Sequence, residues 1–304
     1  MRGEPGTQVV FHVRKLRSGE EVDITVTRER IKIGDIEYAG MLDDHVGYIS
    51  QTGFSDGVGA EFRQKVTELK KQGMQTLVLD LRGNGGGLMN EAAEIVSVLV
   101  PKGSLVVSAQ GREAQSSYAL HTEKAPVDTK IPVIVLVDSG SASASEIVAG
   151  ALQDMDRGTI MGERTYGKGL VQSIRSLPYG GELKVTTAKY YTPSGRCVQA
   201  IDYAQRREDG SVAHIPDSLT HEFRTAHGRI VRDGGGITPD VPLDYREYSR
   251  LTYSLVAYGV IERYALEFVR GHESIPAVED FYLSDADYED FIAFAQGKEF
   301  DYRS

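Results

Sequence analysis

Four serines crowd into the stretch Ser139-Gly140-Ser141-Ala142-Ser143-Ala144-Ser145, which runs into Glu146. A serine where a strand meets a helix sits among helix amides that stabilise negative charge, so this segment could carry a nucleophile. Serine is also a preferred helix N-cap, and small residues permit close helix packing, so the segment alone leaves both readings open. Upstream, Gly83-Asn84-Gly85-Gly86-Gly87 puts four glycines into five positions. A tight turn with positive φ explains one or two of them. The remainder point to backbone N–H groups presented to an anion or a developing oxyanion.

A serine hydroxyl is a weak nucleophile and needs a base. Lys168, held between Gly167 and Gly169, is one candidate. Lysine acts as a base only in its neutral form, which burial favours; a solvated lysine in a hairpin turn is the ordinary alternative. The other candidates are His214, His221, His227 and His272, which follow the serines as a Ser-His-Asp hydrolase would require. Each lies in a polar, loop-like setting, and residues 140–144 fall short of the G-x-S-x-G nucleophile elbow. The loop GERTYGKGL (residues 162–170) also nearly spells the phosphate-binding pattern G-x-x-x-x-G-K-[ST], with Gly162, Gly167 and Lys168 in register. Gly169 stands where the metal-holding hydroxyl belongs, and LVQSIRSL alternates like a strand where a helix is needed, so no nucleotide site is expected.

The elements that must hold these residues read as an α/β pattern. TLVLDLRGNGGGL (76–88) is a buried strand entering the glycine turn, followed by a helix from about residue 90 to 99. IPVIVLVDSGSASASEIVAGALQD (131–154) repeats the plan of strand, small-residue turn and helix, which puts sites at the carboxyl ends of strands. A helix is expected over residues 60–72 from the spacing of Phe62, Val66 and Leu69, and strands over HVGYISQTGF, TIMGERTYGKGLVQSIRSLP and GELKVTTAKYYTP. Near the start, VVFHVRK and EVDITVTRERI alternate around the turn at residues 17–20 and read as a β-hairpin. Helical periodicity takes over after about residue 244, with a further helix near 286–295.

Composition bounds the rest. A chain of 304 residues with 40% hydrophobic residues can fill a substantial core. Its net charge of −10 and lack of a basic cluster argue against a nucleic-acid or anionic-membrane surface; the nearest basic run, RREDG at 206–210, is broken by acids. Cys197 is the only cysteine, so neither an internal disulfide nor a thiolate cage is available. No apolar run approaches membrane-spanning length, and the first residues do not read as a signal peptide but as the middle of a domain.

Three motifs in order, LVLDLRGNGGGL, IPVIVLVDSGSASASEIVAGALQD and GERTYGKGLVQS, resemble the carboxy-terminal processing peptidases, or tail-specific proteases, across residues 38–240. The resemblance implies a mixed α/β fold with a crotonase/Clp-protease-like ββα core. It assigns the nucleophile to Ser143, the base to Lys168 and the residue orienting the lysine to Gln172. Ala144 and Gly86, or its neighbour Gly87, then give the oxyanion-hole amides, with Gly85 standing where many members carry a proline. It implies neither metal nor cofactor, substrates that are proteins or peptides with exposed C-termini, a homo-oligomer as an option, and an extracytoplasmic setting. The expected organisation is the closing, helix-to-strand part of a PDZ domain over 1–33, a catalytic core over 34–245, with HGRIVRDGGGITPDVPL (227–243) as its closing motif, and a helical extension over 246–304. The competing readings are a non-catalytic scaffold on the same fold and a Ser-His-Asp hydrolase.

Overall fold

A computed structural model of the chain describes residues 1–31, 34–206, 212–243, 248–277 and 280–297, with the backbone alone described at 204–206, 212–214 and 217. The expected boundaries at 33/34 and 245/246, and most of the RREDG run, lie outside the described residues. Two compact units divide the chain, one made of Met1–Lys32 with Arg246–Ser304, the other of Ile33–Tyr245.

Strands β1 (Gln8–Arg14) and β2 (Glu21–Thr27) form the expected antiparallel hairpin, and along β1 the apolar Val9, Phe11 and Val13 alternate with exposed neighbours. Residues 1–7 lead into β1. They hold a turn in which Gly6, at φ 85, donates to Arg28 O and Thr7 N donates to Glu4 O.

The larger unit begins with β3 (Ile36–Met41), β4 (Val46–Gln51), α1 (Val58–Lys71), β5 (Thr76–Asp80) and α2 (Met89–Leu99). It continues through β6 (Leu105–Gly111), β7 (Tyr118–His121), β8 (Val133–Val137), α3 (Ala144–Asp154) and β9 (Thr159–Gly162). Strands β10 (Leu170–Ser176), β11 (Glu182–Tyr191), β12 (Ile201–Arg206), β13 (Val212–His214), β14 (Glu222–Arg224), β15 (Ile230–Arg232) and β16 (Val241–Pro242) complete it.

Six of these strands make one sheet in the order β16-β9-β8-β5-β4-β3, parallel except at the β3–β4 edge. The runs TLVLD and VIVLV occupy its centre, as continuous apolar strands do when helices cover a sheet. Every residue of α3 is buried, so this helix has no solvent face and lies within the core. The N-cap of helix α1 is Gly57, which has no side chain to cap it; Glu91 on α2 substitutes, accepting from Gly57 N at 3.1 Å and Gly59 N at 2.7 Å. A second, antiparallel sheet runs β10-β11-β6-β7 and carries the segment that follows Lys168.

The C-terminal segment is helical: α4 (Arg250–Ala257), α5 (Val260–Gly271) and α6 (Asp285–Gln296). The periodicity after residue 248 reads as one run, but Gly259 adopts φ 60 and breaks it into two helices. Tyr264 packs among Phe268, Phe291 and Phe294, and Arg17 and Arg270 tie α5 to the hairpin turn through His272 O and Leu16 O. Among the described residues no helix is long and apolar enough to cross a membrane.

Candidate active site

Strand β8 ends at Val137, and a turn of five residues leads to Ser143, the N-cap of α3. Ser143 adopts φ 58 and ψ −113, a conformation uncommon for a residue with a side chain and costing on the order of 1–3 kcal/mol unless its surroundings impose it. The other serines have structural partners. Ser141 is buried and donates to Leu81 O at 2.8 Å, and Ser145 is buried and donates to Asn84 O at 2.9 Å. Ser139 is exposed, which leaves Ser143 as the half-buried, strained serine of the four.

The glycine turn is stitched to this elbow. Asp138 Oδ1 accepts from Gly83 N, Gly140 N and Ser141 N at 2.8 to 3.0 Å. Buried Asn84 donates its amide to Gln51 O, accepts Gly86 N on Oδ1 at 2.9 Å, and accepts Ala142 N on its carbonyl at 3.0 Å. Gly86 is demanded by contact: a Cβ there would lie 2.6 Å from Ala142 O, 2.7 Å from Ser143 Cβ and 2.8 Å from Ala144 N. At Gly87 a Cβ would meet Phe54 O at 2.5 Å, whereas Gly85 faces open space. Ala144 N and Gly87 N make no hydrogen bond among the described residues, while Gly86 N is engaged by Asn84.

Lys168 sits in the loop joining β9 to β10, and the strand that follows it, in place of a helix, rules out phosphate-loop geometry. Buried Glu146, in the first turn of α3, organises this loop. Its Oε1 accepts from Thr165 Oγ1 at 2.6 Å and Gly167 N at 2.7 Å; its Oε2 accepts from Ser143 N and Lys168 N, both at 2.8 Å. Burial pushes the Glu146 pKa up, against the pull of the four bonds it accepts. Tyr190 acts on the opposite side of the same two residues. Its hydroxyl lies against Ser143 O at 3.2 Å and against Lys168 O, and burial first, then the nearby Glu146 charge, push its pKa well above the ordinary phenol value. The flanking glycines allow this course: a Cβ on Gly167, at φ 82, would sit 2.3 Å from Ala200 Cβ, and one on Gly169 would sit 2.7 Å from Gln199 N.

Lys168 is half-buried, and Gln172 is exposed at a β-bulge between Val171 and Gln172. Both line a cavity of about 370 Å³ together with Gly85, Gly140, Ala142 and Tyr166. The structure thus brings the backbones of Ser143 and Lys168 together and places Gln172 at the same cavity as the lysine. Among the described residues no hydrogen bond joins the Ser143 hydroxyl to the Lys168 amine, or that amine to Gln172. The histidines are elsewhere: His221 and His227 are exposed and paired with Asp233 and Asp156, and His272 belongs to the other unit. The side chain of His214 lies outside the described residues.

Glu146, Asn84 and Tyr190 were not singled out by sequence reasoning. The spacing Ser143-x-x-Glu146 matches a capping box and could have flagged the glutamate. Tyr190 has no local signal, because its partners are 22 and 47 residues away.

A core helix headed by a strained serine, beside unengaged amides and a loop lysine, is found here in a protein of the peptidase class. Residues 45–205 match the family described as Peptidase family S41, and residues 251–304 match "Probable PDZ-protease, C-terminal helical domain". The chain belongs to peptidase family S41. It is 36% identical over 205 residues to the carboxy-terminal-processing protease of Bartonella bacilliformis, covering 66% of this chain and 46% of that protein. With the carboxyl-terminal-processing protease of Synechocystis sp. it shares 40% identity over 200 residues, 64% of this chain and 45% of that one. The solved photosystem II D1 C-terminal processing protease aligns with a TM-score of 0.52 at 30% identity, over 80% of this chain and 57% of that structure. The chain therefore spans about half the length of the curated relatives it matches, and the expected resemblance to carboxy-terminal processing peptidases and the mixed α/β fold are borne out.

Proposed function

We propose that the chain carries the catalytic core of a serine endopeptidase that cleaves proteins near their C-termini by a Ser-Lys mechanism. The observation that carries the proposal is the shared clamp. One buried carboxylate accepts the N–H groups of both Ser143 and Lys168, and one phenol lies against both carbonyls. With the two backbones fixed, forming the dyad needs side-chain rotation, and catalytic hydrogen bonds commonly tighten only with substrate.

In this mechanism the neutral Lys168 amine, oriented by Gln172, takes the Ser143 proton as the hydroxyl oxygen attacks a peptide carbonyl. Ala144 N and an amide of the Gly86–Gly87 pair stabilise the tetrahedral oxyanion, each such donor being worth about 3 kcal/mol. Gly86 is the neighbour of the elbow and Gly87 the one with an unengaged N–H, so Gly87 donates unless Asn84 releases Gly86. Lys168 then returns the proton to the leaving amine, and water resolves the acyl-enzyme. Residues 34–245 form the catalytic core in this reading, 1–33 the closing part of a PDZ domain, and 246–304 a helical extension that supports self-association. The relatives' names, carboxy-terminal-processing proteases, support substrates cut near their C-termini; an extracytoplasmic setting belongs to this reading through the family resemblance alone.

The test is cleavage of an unfolded protein substrate by the chain and its variants. Ser143→Ala and Lys168→Ala should each reduce turnover by about a thousandfold or more with the melting temperature nearly unchanged. Normal cleavage by the lysine variant sinks the dyad, and loss on replacing a downstream histidine instead would establish a Ser-His enzyme.

A further inference from the structure

Tyr190 belongs to β11, far in sequence from both residues of the proposed dyad, yet it is bound to each of them. Its N–H donates to Gly169 O at 3.0 Å, and its own position is set from both sides: its neighbours Ala188 and Lys189 pair with β10, and Tyr190 itself pairs with Ala109 on β6. The residue is 1% exposed, so its hydroxyl is a fixed point in the core rather than a mobile surface group. That hydroxyl reaches Lys168 O and Ser143 O.

The two acceptors differ in what else holds them. Ser143 O also accepts from Ile147 N at 3.0 Å, within the first turn of α3. Lys168 O has no other donor among the described residues. Among the described residues Tyr190 is thus the one group that holds the carbonyl side of the lysine and refers it to the carbonyl side of the serine. Glu146 cannot do this work, since a carboxylate accepts and a carbonyl needs a donor. A phenol buried beside Glu146 keeps its proton and remains that donor.

We propose that Tyr190 is a positioning residue: its hydroxyl, shared between the Lys168 and Ser143 carbonyls, sets the separation across which the serine proton passes to the lysine. The inference rests on the Ser-Lys reading above. It also accounts for how Ser143 keeps φ 58, because the peptide groups on both sides of the residue are anchored, one by Glu146 and the other by Tyr190 and Ile147.

Tyr190→Phe removes one oxygen and leaves the ring in place. Turnover of an internally quenched peptide by the whole chain should fall about 10- to 100-fold with KM within about twofold, because the surfaces that bind peptide are untouched and only the geometry of proton transfer changes. Installing p-aminophenylalanine at position 190, which restores a donor, should recover most of kcat. Hydrogen exchange reads the same anchoring without turnover: the Gly167, Lys168 and Gly169 amides should exchange about 10-fold faster in Tyr190→Phe. A variant with kcat within twofold of the parent, or with unchanged exchange at these amides, overturns the proposal, as does a loss that appears in KM alone. Ser143→Ala and Lys168→Ala, run alongside, separate the two levels. If both are inactive while Tyr190→Phe is normal, only the positioning role fails; if Lys168→Ala is active, the Ser-Lys reading fails with it.

Discussion

Replacing Glu146 by glutamine keeps the shape of the side chain but exchanges one acceptor oxygen for an NH2 donor and removes the charge. The carboxylate takes four donors, two on each oxygen: Thr165 Oγ1 and Gly167 N on one, Ser143 N and Lys168 N on the other. Glutamine offers one carbonyl oxygen and one NH2, so in either orientation two donors face a donor. If the NH2 meets Ser143 N and Lys168 N, the tie between Ser143 and Lys168 opens. If it meets Gly167 N and Thr165, the hydroxyl can turn away, but the Gly167 amide is left without an acceptor. A buried donor without a partner costs about 1–3 kcal/mol, and losing the charge weakens the two bonds that remain. The expected loss is therefore about 2–5 kcal/mol, a large share of the roughly 5–15 kcal/mol that holds a typical domain together, so the variant should fold but with a small margin. Urea denaturation at constant m-value measures the stability change, and peptide turnover measured well below the melting temperature should fall at least tenfold. A Glu146→Gln chain within about 0.5 kcal/mol of the parent, with normal turnover, would show that these four contacts do not hold the site together.

Gly167→Ala places a Cβ 2.3 Å from Ala200 Cβ at φ 82, so it should cost about 2–4 kcal/mol and abolish turnover by displacing Lys168, whereas Gly85→Ala, which meets open space, should change stability by less than about 0.5 kcal/mol; thermal melts of the pair decide this. Asp128 responds to pH: burial raises its pKa, but bonds from Lys70, Lys130 N and Ile131 N outweigh that and lower it to about 2. Because the folded value lies below the unfolded one, its stabilisation is complete above about pH 4 and disappears as pH falls through about 2; allowing for solvent around Lys70 it amounts to about 1–2 kcal/mol, which Asp128→Asn should remove from denaturation curves at pH 6 while changing little at pH 2.

The sequence carried the elements well where one helix or strand decides its own fate. Helix α1 runs Val58–Lys71 against an expected 60–72 because Phe62, Val66 and Leu69 state its buried face, and α2 begins at Met89 where the glycine turn ends. The junction of β8 and α3 was readable too, since a proline-started apolar strand, a small-residue turn and an apolar helix leave few alternatives. The residues that join these pieces were not readable. Glu146 could pass for a simple cap, and Tyr190 for one more aromatic in a strand, because their roles arise only when β9, β10 and β11 bring residues 165–169 and 190 onto the first turn of α3. The helical tail illustrates the reverse failure: its periodicity carries through Gly259, but a left-handed residue ends one helix and starts another.

The loop GERTYGKGL shows why a pattern of glycines and one lysine is not yet a ligand site. In a phosphate loop the amides turn outward and a helix behind them adds its dipole. Here the amides turn inward. Gly167 N and Lys168 N donate to the Glu146 carboxylate and Gly169 N donates to Gln199 Oε1, so the nest that would cradle a phosphate is already filled by an anion of the protein itself. A second anion would meet engaged donors and a like charge. The same carboxylate that excludes phosphate holds Ser143, and so the inward turn that removes a phosphate site from this loop is the turn that sets the Lys168 backbone beside Ser143, as the proposed mechanism requires.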